Sequence, residues 1–172
     1  MTKPLHSLMQ GFTLLEVLIA VVVLSFGLMG LAGIQAVGVR NTHSANLRTL
    51  AVQQAYDMAD RMRANADGVK SGLYNSLTAT VPATIPADPG CISTGCSNAL
   101  LRDYDQRIWN LNNAAMLPSG TGGVVAVAGT MAPNSAYIIT VMWDDYRTGV
   151  AGVGCGGNPA VDLTCFQVTF RP

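Results

Sequence analysis

Gly11-Phe12-Thr13-Leu14-Leu15-Glu16-Val17-Leu18-Ile19-Ala20 opens an apolar run that continues to Val39. No residue from Val17 to Val39 is charged, and only Ser25 and Gln35 among those 23 are clearly polar. As a helix rising about 1.5 Å per residue the run covers about 35 Å, against a bilayer hydrocarbon core of about 30 Å. It is long enough to cross a membrane. A cleaved secretory signal has a shorter apolar region, about 7–15 residues, and ends at a small-x-small site. An ordinary single-pass anchor matches the length but gives Glu16 no purpose. A buried core helix is hard to house beside so small a polar remainder.

Glu16 is the only glutamate in the 172 residues, and it lies inside the apolar run. A carboxylate at a bilayer centre costs about 3 kcal/mol on insertion scales, and less near the edge, so such groups usually have partners. No Lys or Arg lies within four residues of it. A cut between Gly11 and Phe12 would create a cation. The new amine on Phe12 stands four positions before Glu16, on the same helical face. It could equally meet Glu16 of a neighbouring subunit in a packed bundle.

This segment resembles the prepilin signature of type IV pilins and type II secretion pseudopilins, with Gly11 before the cut, Phe12 first and Glu16 fifth in the mature chain. The resemblance implies a prepilin peptidase that cleaves after Gly11 and methylates the Phe12 amine. It implies that Glu16 docks the subunit by balancing the N-terminal charge of a filament neighbour. It also implies an α+β pilin fold, a long N-terminal helix packed on a small antiparallel β-sheet head. The expected organisation is a leader at 1–11, a transmembrane and filament-core helix at 12–39, an amphipathic helix at 40–67 and a periplasmic head at 68–172. The expected partners are the prepilin peptidase, other minor and major pilins through the N-terminal helix, and the inner membrane. The head would face the periplasm before assembly and stand on the pilus at the cell surface afterwards.

The leader carries only Lys3 and His6, and Arg40 and Arg48 follow the apolar run. Charge counting therefore does not favour a cytoplasmic N-terminus. The cysteines do, because they call for an oxidising compartment on the far side. Gly27, Gly30, Gly33 and Gly38 each cost a helix about 1 kcal/mol relative to Ala. Close helix–helix packing and local unwinding during assembly are both readings of these glycines.

Hydrophobic residues make up 49% of the chain and charged residues 12%, where about 25% charged is usual for a soluble protein. The formal net charge is zero; losing Lys3 with residues 1–11 would leave 9 basic and 10 acidic residues, a net of −1. No basic patch points to a nucleic-acid partner. His6 and His43 are the only histidines, a poor endowment for general acid–base chemistry. Gly152-Val153-Gly154-Cys155-Gly156-Gly157 has dinucleotide-loop spacing, but Asn158-Pro159 follows where a helix should begin. Asp103/Asp105 and Asp144/Asp145 lack the ligand density of a calcium loop and read as solvated charges. No enzyme, cofactor or metal is expected.

Cys91, Cys96, Cys155 and Cys165 all follow the apolar run. An even number in an exported region reads as disulfides. Three pairings are open; Cys91–Cys96 and Cys155–Cys165 are favoured, since each closes a short local loop containing Gly. Four and nine intervening residues do not suit a zinc site, which prefers tight CxxC pairs.

Beyond the membrane segment, Leu47, Leu50, Ala51, Ala55, Met58, Ala59 and Met62 recur at helical steps, with Gly68 as the expected stop. Residues 68–98 read as loop, with Pro82, Pro86 and Pro89. A helix is expected over 99–116, capped by Ser97 or Asn98 and burying Leu101, Tyr104, Ile108, Leu111 and Ala115. Strands are expected at Val124–Ala128, Ala136–Tyr146 and Cys165–Phe170. A thinner resemblance covers most of the chain, to the minor pilins of the PilV or type IV pilus modification subfamily. It rests on Leu15-Glu16-Val17-Leu18, Asp103 to Trp109 ahead of Leu117-Pro118, and Val141-Met142-Trp143-Asp144. That resemblance implies a minor pilin in pilus assembly or initiation. The alternatives are a pseudopilin of a type II secretion system and an adhesive tip subunit presenting the 148–164 loop.

Overall fold

The computed structural model describes residues 11–127, 136–155 and 157–172. The leader up to Gln10, the Ala128 end of the first expected strand, and Gly156 lie outside the described residues. The chain forms two compact units that meet in sequence at His43 and Ser44.

In the first unit, helix α1 (Leu14–Ala64) begins after three non-helical residues. Every described residue through His43 is exposed, and the helix is long and apolar enough to cross a membrane. A Cβ on Gly27, Gly30, Gly33 or Gly38 would meet nothing within 4 Å. These glycines therefore fill no packing need inside the unit.

The second unit starts on α1 at Ser44 and adds α2 (Ala66–Lys70), β1 (Ser76–Leu77), α3 (Cys91–Thr94), α4 (Asn98–Met116), β2 (Thr121–Ala126), β3 (Tyr137–Trp143) and β4 (Thr164–Phe170). The four strands form one antiparallel sheet in the order β1-β2-β3-β4. Together with the long apolar helix this is the α+β architecture of the pilin fold. The core joins Leu47, Ala51, Ala55, Met58, Ala59 and Met62 of α1 to Tyr137, Ile139, Val141 and Trp143 along one face of β3. Helical spacing on one partner and period-two spacing on the other bring the two apolar faces together. Burying each large aliphatic side chain contributes about 1.5–3 kcal/mol. Arg63, in the last turn of α1, lies 4.9 Å from the ring centroid of Phe170 at the end of β4.

Several boundaries differ from the sequence reading. Helix α1 ends at Ala64, and Gly68 sits buried inside α2. The break is at Asn65, whose φ and ψ of −107° and 50° leave the helical region. Its side chain accepts from the Gly68 N–H at 3.3 Å and donates to Tyr74 Oη at 3.0 Å and to the Asn98 carbonyl at 2.9 Å. One asparagine thus caps α2 and ties it to α4 and the following loop.

Helix α4 forms, and Ser97 is its cap, accepting from the Leu100 N–H at 3.4 Å. Its buried face is not the apolar one expected. Asp105, Gln106, Trp109, Asn110 and Asn113 are buried, while Leu101, Tyr104 and Ile108 are half-buried and Leu111 and Ala115 exposed. Hydrogen bonds make this possible, because a buried polar group is tolerated once paired. Trp109 Nε1 donates to the Gln54 carbonyl and Asn110 Nδ2 to the Thr84 carbonyl, both at 2.8 Å.

Asp105 accepts from Tyr74 Oη at 2.6 Å and lies 3.6 Å from Arg61 Nη1. Burial raises its carboxyl above the usual value, against the opposing pull of the Tyr74 hydrogen bond and Arg61. Burial, then the hydrogen bond to Asp105, raises the Tyr74 phenol. Asp105 and Asp144 are each 4% exposed, so neither is the solvated charge expected. Asp144 accepts from the Gly149 N–H at 2.7 Å and from Thr148 Oγ1 at 3.4 Å. That turn ends β3 at Trp143, short of Tyr146.

Strand β2 starts at Thr121, three residues before the expected Val124. Gly122 and Gly123 lie within it because neighbours occupy the space of a side chain. A Cβ on Gly122 would run into the six-membered ring of Trp109, and one on Gly123 would sit 2.8 Å from the Leu77 carbonyl oxygen. Strand β1 has only two residues, too few to carry a period.

Candidate assembly site at the start of the apolar helix

Residues 11–13 are non-helical and exposed, and Phe12 is 83% exposed. Helical hydrogen bonding begins at Thr13, whose carbonyl accepts from the Val17 N–H at 3.3 Å. Thr13 Oγ1 accepts from the Glu16 N–H, also at 3.3 Å. A threonine side chain that bonds the third helical N–H is an N-cap, and with Glu at that position the sequence has capping-box form. The first four N–H groups of a helix have no partner within it; Thr13 satisfies one of them.

Glu16 is exposed in the first turn of α1. The helix N-terminus carries about half a positive charge, which favours a carboxylate there. Among the described residues no ion pair involves Glu16. Gly11, Phe12 and Glu16 therefore lie together at one exposed helix start, with Phe12 and Glu16 four residues apart. Thr13 completes this group. Sequence reasoning passed over it, although Thr13-Leu14-Leu15-Glu16 has the spacing of a capping box.

The cysteines lie in the second unit. Cys91 and Cys96 are bonded with Cα atoms 5.0 Å apart, and Cys155 and Cys165 with Cα atoms 5.4 Å apart. The first bridge closes the loop around α3, where Cys91 Sγ lies 3.7 Å from the Leu100 carbonyl oxygen of α4. The second ties the Gly-rich loop before β4 to that strand. A parallel bridge between Gly152 and Asp162 closes the same loop on itself. Gly152 belongs there for steric reasons, since a Cβ would collide with the Val161 carbonyl and the Asp162 carboxylate.

Residues 7–32 match the prokaryotic N-terminal methylation motif, and residues 33–107 match the family described as Tt1218-like, type IV pilin Tt1218. No curated protein and no solved structure matches the chain.

Proposed function

We propose that this chain is a minor structural subunit of a type IV pilus, acting in filament assembly or initiation; the matches to the prokaryotic N-terminal methylation motif and to the Tt1218-like type IV pilin family support this reading. The motif implies processing by a prepilin peptidase and assembly with other pilins, and with the apolar helix it supports membrane anchoring. Cleavage after Gly11 frees the Phe12 amine, which is then methylated. The subunit waits in the inner membrane with its head in the periplasm. Glu16 docks against the N-terminal charge of a neighbour as the helix leaves lipid for the filament core. The disulfide-bonded head is then displayed on the pilus.

The observation that carries this reading is the arrangement at the start of α1: an exposed Phe12 and an exposed Glu16, with no cation paired to it among the described residues, open a helix whose apolar surface is free. A carboxylate so placed gains most when a cation arrives with the next subunit. The test is Glu16→Ala in a strain lacking the native copy. The variant is expected in the membrane at normal level, with filament number reduced at least severalfold. Undiminished piliation removes the docking role. The minor role is read from sheared filaments, where this chain should be scarce beside a major subunit; finding it as the dominant protein overturns that part.

A further inference from the structure

The geometry points to Thr13 as a positioning residue for cleavage: by capping α1 it halts the helix short of the Gly11–Phe12 peptide and keeps that peptide in non-helical chain. The inference rests on the reading of the chain as a cleaved precursor.

Among the described residues nothing else fixes this boundary. Phe12 is 83% exposed, and a Cβ on Gly11 would meet nothing within 4 Å. Among the described residues no tertiary contact therefore holds residues 11 and 12 out of the helix. Phe is an ordinary helix residue and Gly a poor one, and neither stops a helix outright. What marks the start is the Thr13 side chain on the Glu16 N–H at 3.3 Å. An N-cap residue has non-helical φ and ψ by nature, so a cap at position 13 leaves the preceding peptide free.

That freedom matters for the chemistry. Hydrolysis adds water across the Gly11–Phe12 bond, leaving Gly11 as a carboxylate and Phe12 as an ammonium group. A peptide wound into a helix has its N–H and C=O engaged and its carbonyl carbon shielded by adjacent turns. A peptide in open chain offers both faces to the enzyme. Without the cap, α1 also samples starts nearer Gly11, and the scissile peptide spends less time open.

The experiment uses the full chain in membranes with a prepilin peptidase. Mass spectrometry follows the initial rate of product beginning at Phe12. Thr13→Ser and Thr13→Asn preserve capping and are expected to be cut at close to the rate of the unmodified chain. Thr13→Ala and Thr13→Val remove it and are expected to be cut more slowly, by up to about fivefold, the ratio that about 1 kcal/mol of capping energy represents. Equal rates for all four overturn the inference. So does an Asn variant as slow as the Ala variant, since the enzyme would then be reading the hydroxyl directly. If the unmodified chain is not cut after Gly11, the precursor reading itself falls, and this inference with it.

Discussion

Trp109 of α4 donates its indole N–H to the backbone carbonyl of Gln54 of α1 at 2.8 Å, and its ring fills the space that a side chain on Gly122 of β2 would need. One fully buried side chain thereby fixes the spacing of three elements in the head.

Gly122→Ala should therefore destabilise the head by about 1–3 kcal/mol, the usual cost of overpacking against a rigid neighbour. Trp109→Phe should cost about 1 kcal/mol for the lost hydrogen bond, together with the packing of the missing second ring. Because Phe leaves space beside Gly122, the double variant should be less damaged than the two losses added together. Urea unfolding of the full chain in detergent checks this; strict additivity would contradict the contact.

The buried Asp105–Tyr74 pair should give the head a distinctive pH dependence. Burial holds the Asp105 carboxyl above its usual 3.8, so the folded chain binds this proton more tightly than the unfolded one. The stability this provides is complete below about pH 4 and is lost as pH rises through the folded value. Asp105→Asn removes the titration. Unfolding midpoints should thus shift against the unmodified chain, relative to the variant, as pH rises above about 4. A parallel pH profile for the two proteins would refute this. Tyr74 and Tyr137 are also raised, both chiefly by burial; their stabilisation is present below the ordinary phenol value near 10 and is lost above it.

Removing the Cys155–Cys165 bridge should loosen the loop before β4 more than the rest of the head. The bridge spans 10 residues in sequence and Cys91–Cys96 spans 5. On chain-entropy grounds these loops are worth roughly 3 and 2 kcal/mol. Replacing Cys155 and Cys165 together by Ser should lower stability by about 2–3 kcal/mol and expose residues 148–163 to protease, while α4 and β2 stay resistant. Proteolysis starting in α4 would contradict this order.

The sequence made core faces legible where apolar periodicity alone decides them, whereas the start of α1 at Leu14 falls two residues after the expected 12. The α1 positions from Leu47 to Met62 bury as their spacing says, with Leu50 half-buried. The same rule failed on α4, because the head turns inward a face of Asp105, Asn110 and Asn113 around Trp109. Leu111 and Ala115 are left outside. Distant hydrogen-bond partners, such as the carbonyls of Thr84 and Gln54, justify that face, and no local pattern reveals them. Gly122 and Gly123 fall outside the strand expected from Val124 for a related reason: what requires them in a strand is Trp109 and Leu77, remote in sequence. At the candidate assembly site the signature singles out Gly11, Phe12 and Glu16. Thr13 carries a local signal too, the capping-box spacing to Glu16.

The proposed role begins with a single cut, between Gly11 and Phe12, that exposes Phe12 for assembly. Intact-mass and N-terminal peptide mass spectrometry of the chain from its native membrane tests it most directly. The expected result is a mature N-terminus at Phe12 carrying one N-methyl group, with residues 1–11 absent. A chain still beginning at Met1, or cut at any other bond, would contradict it.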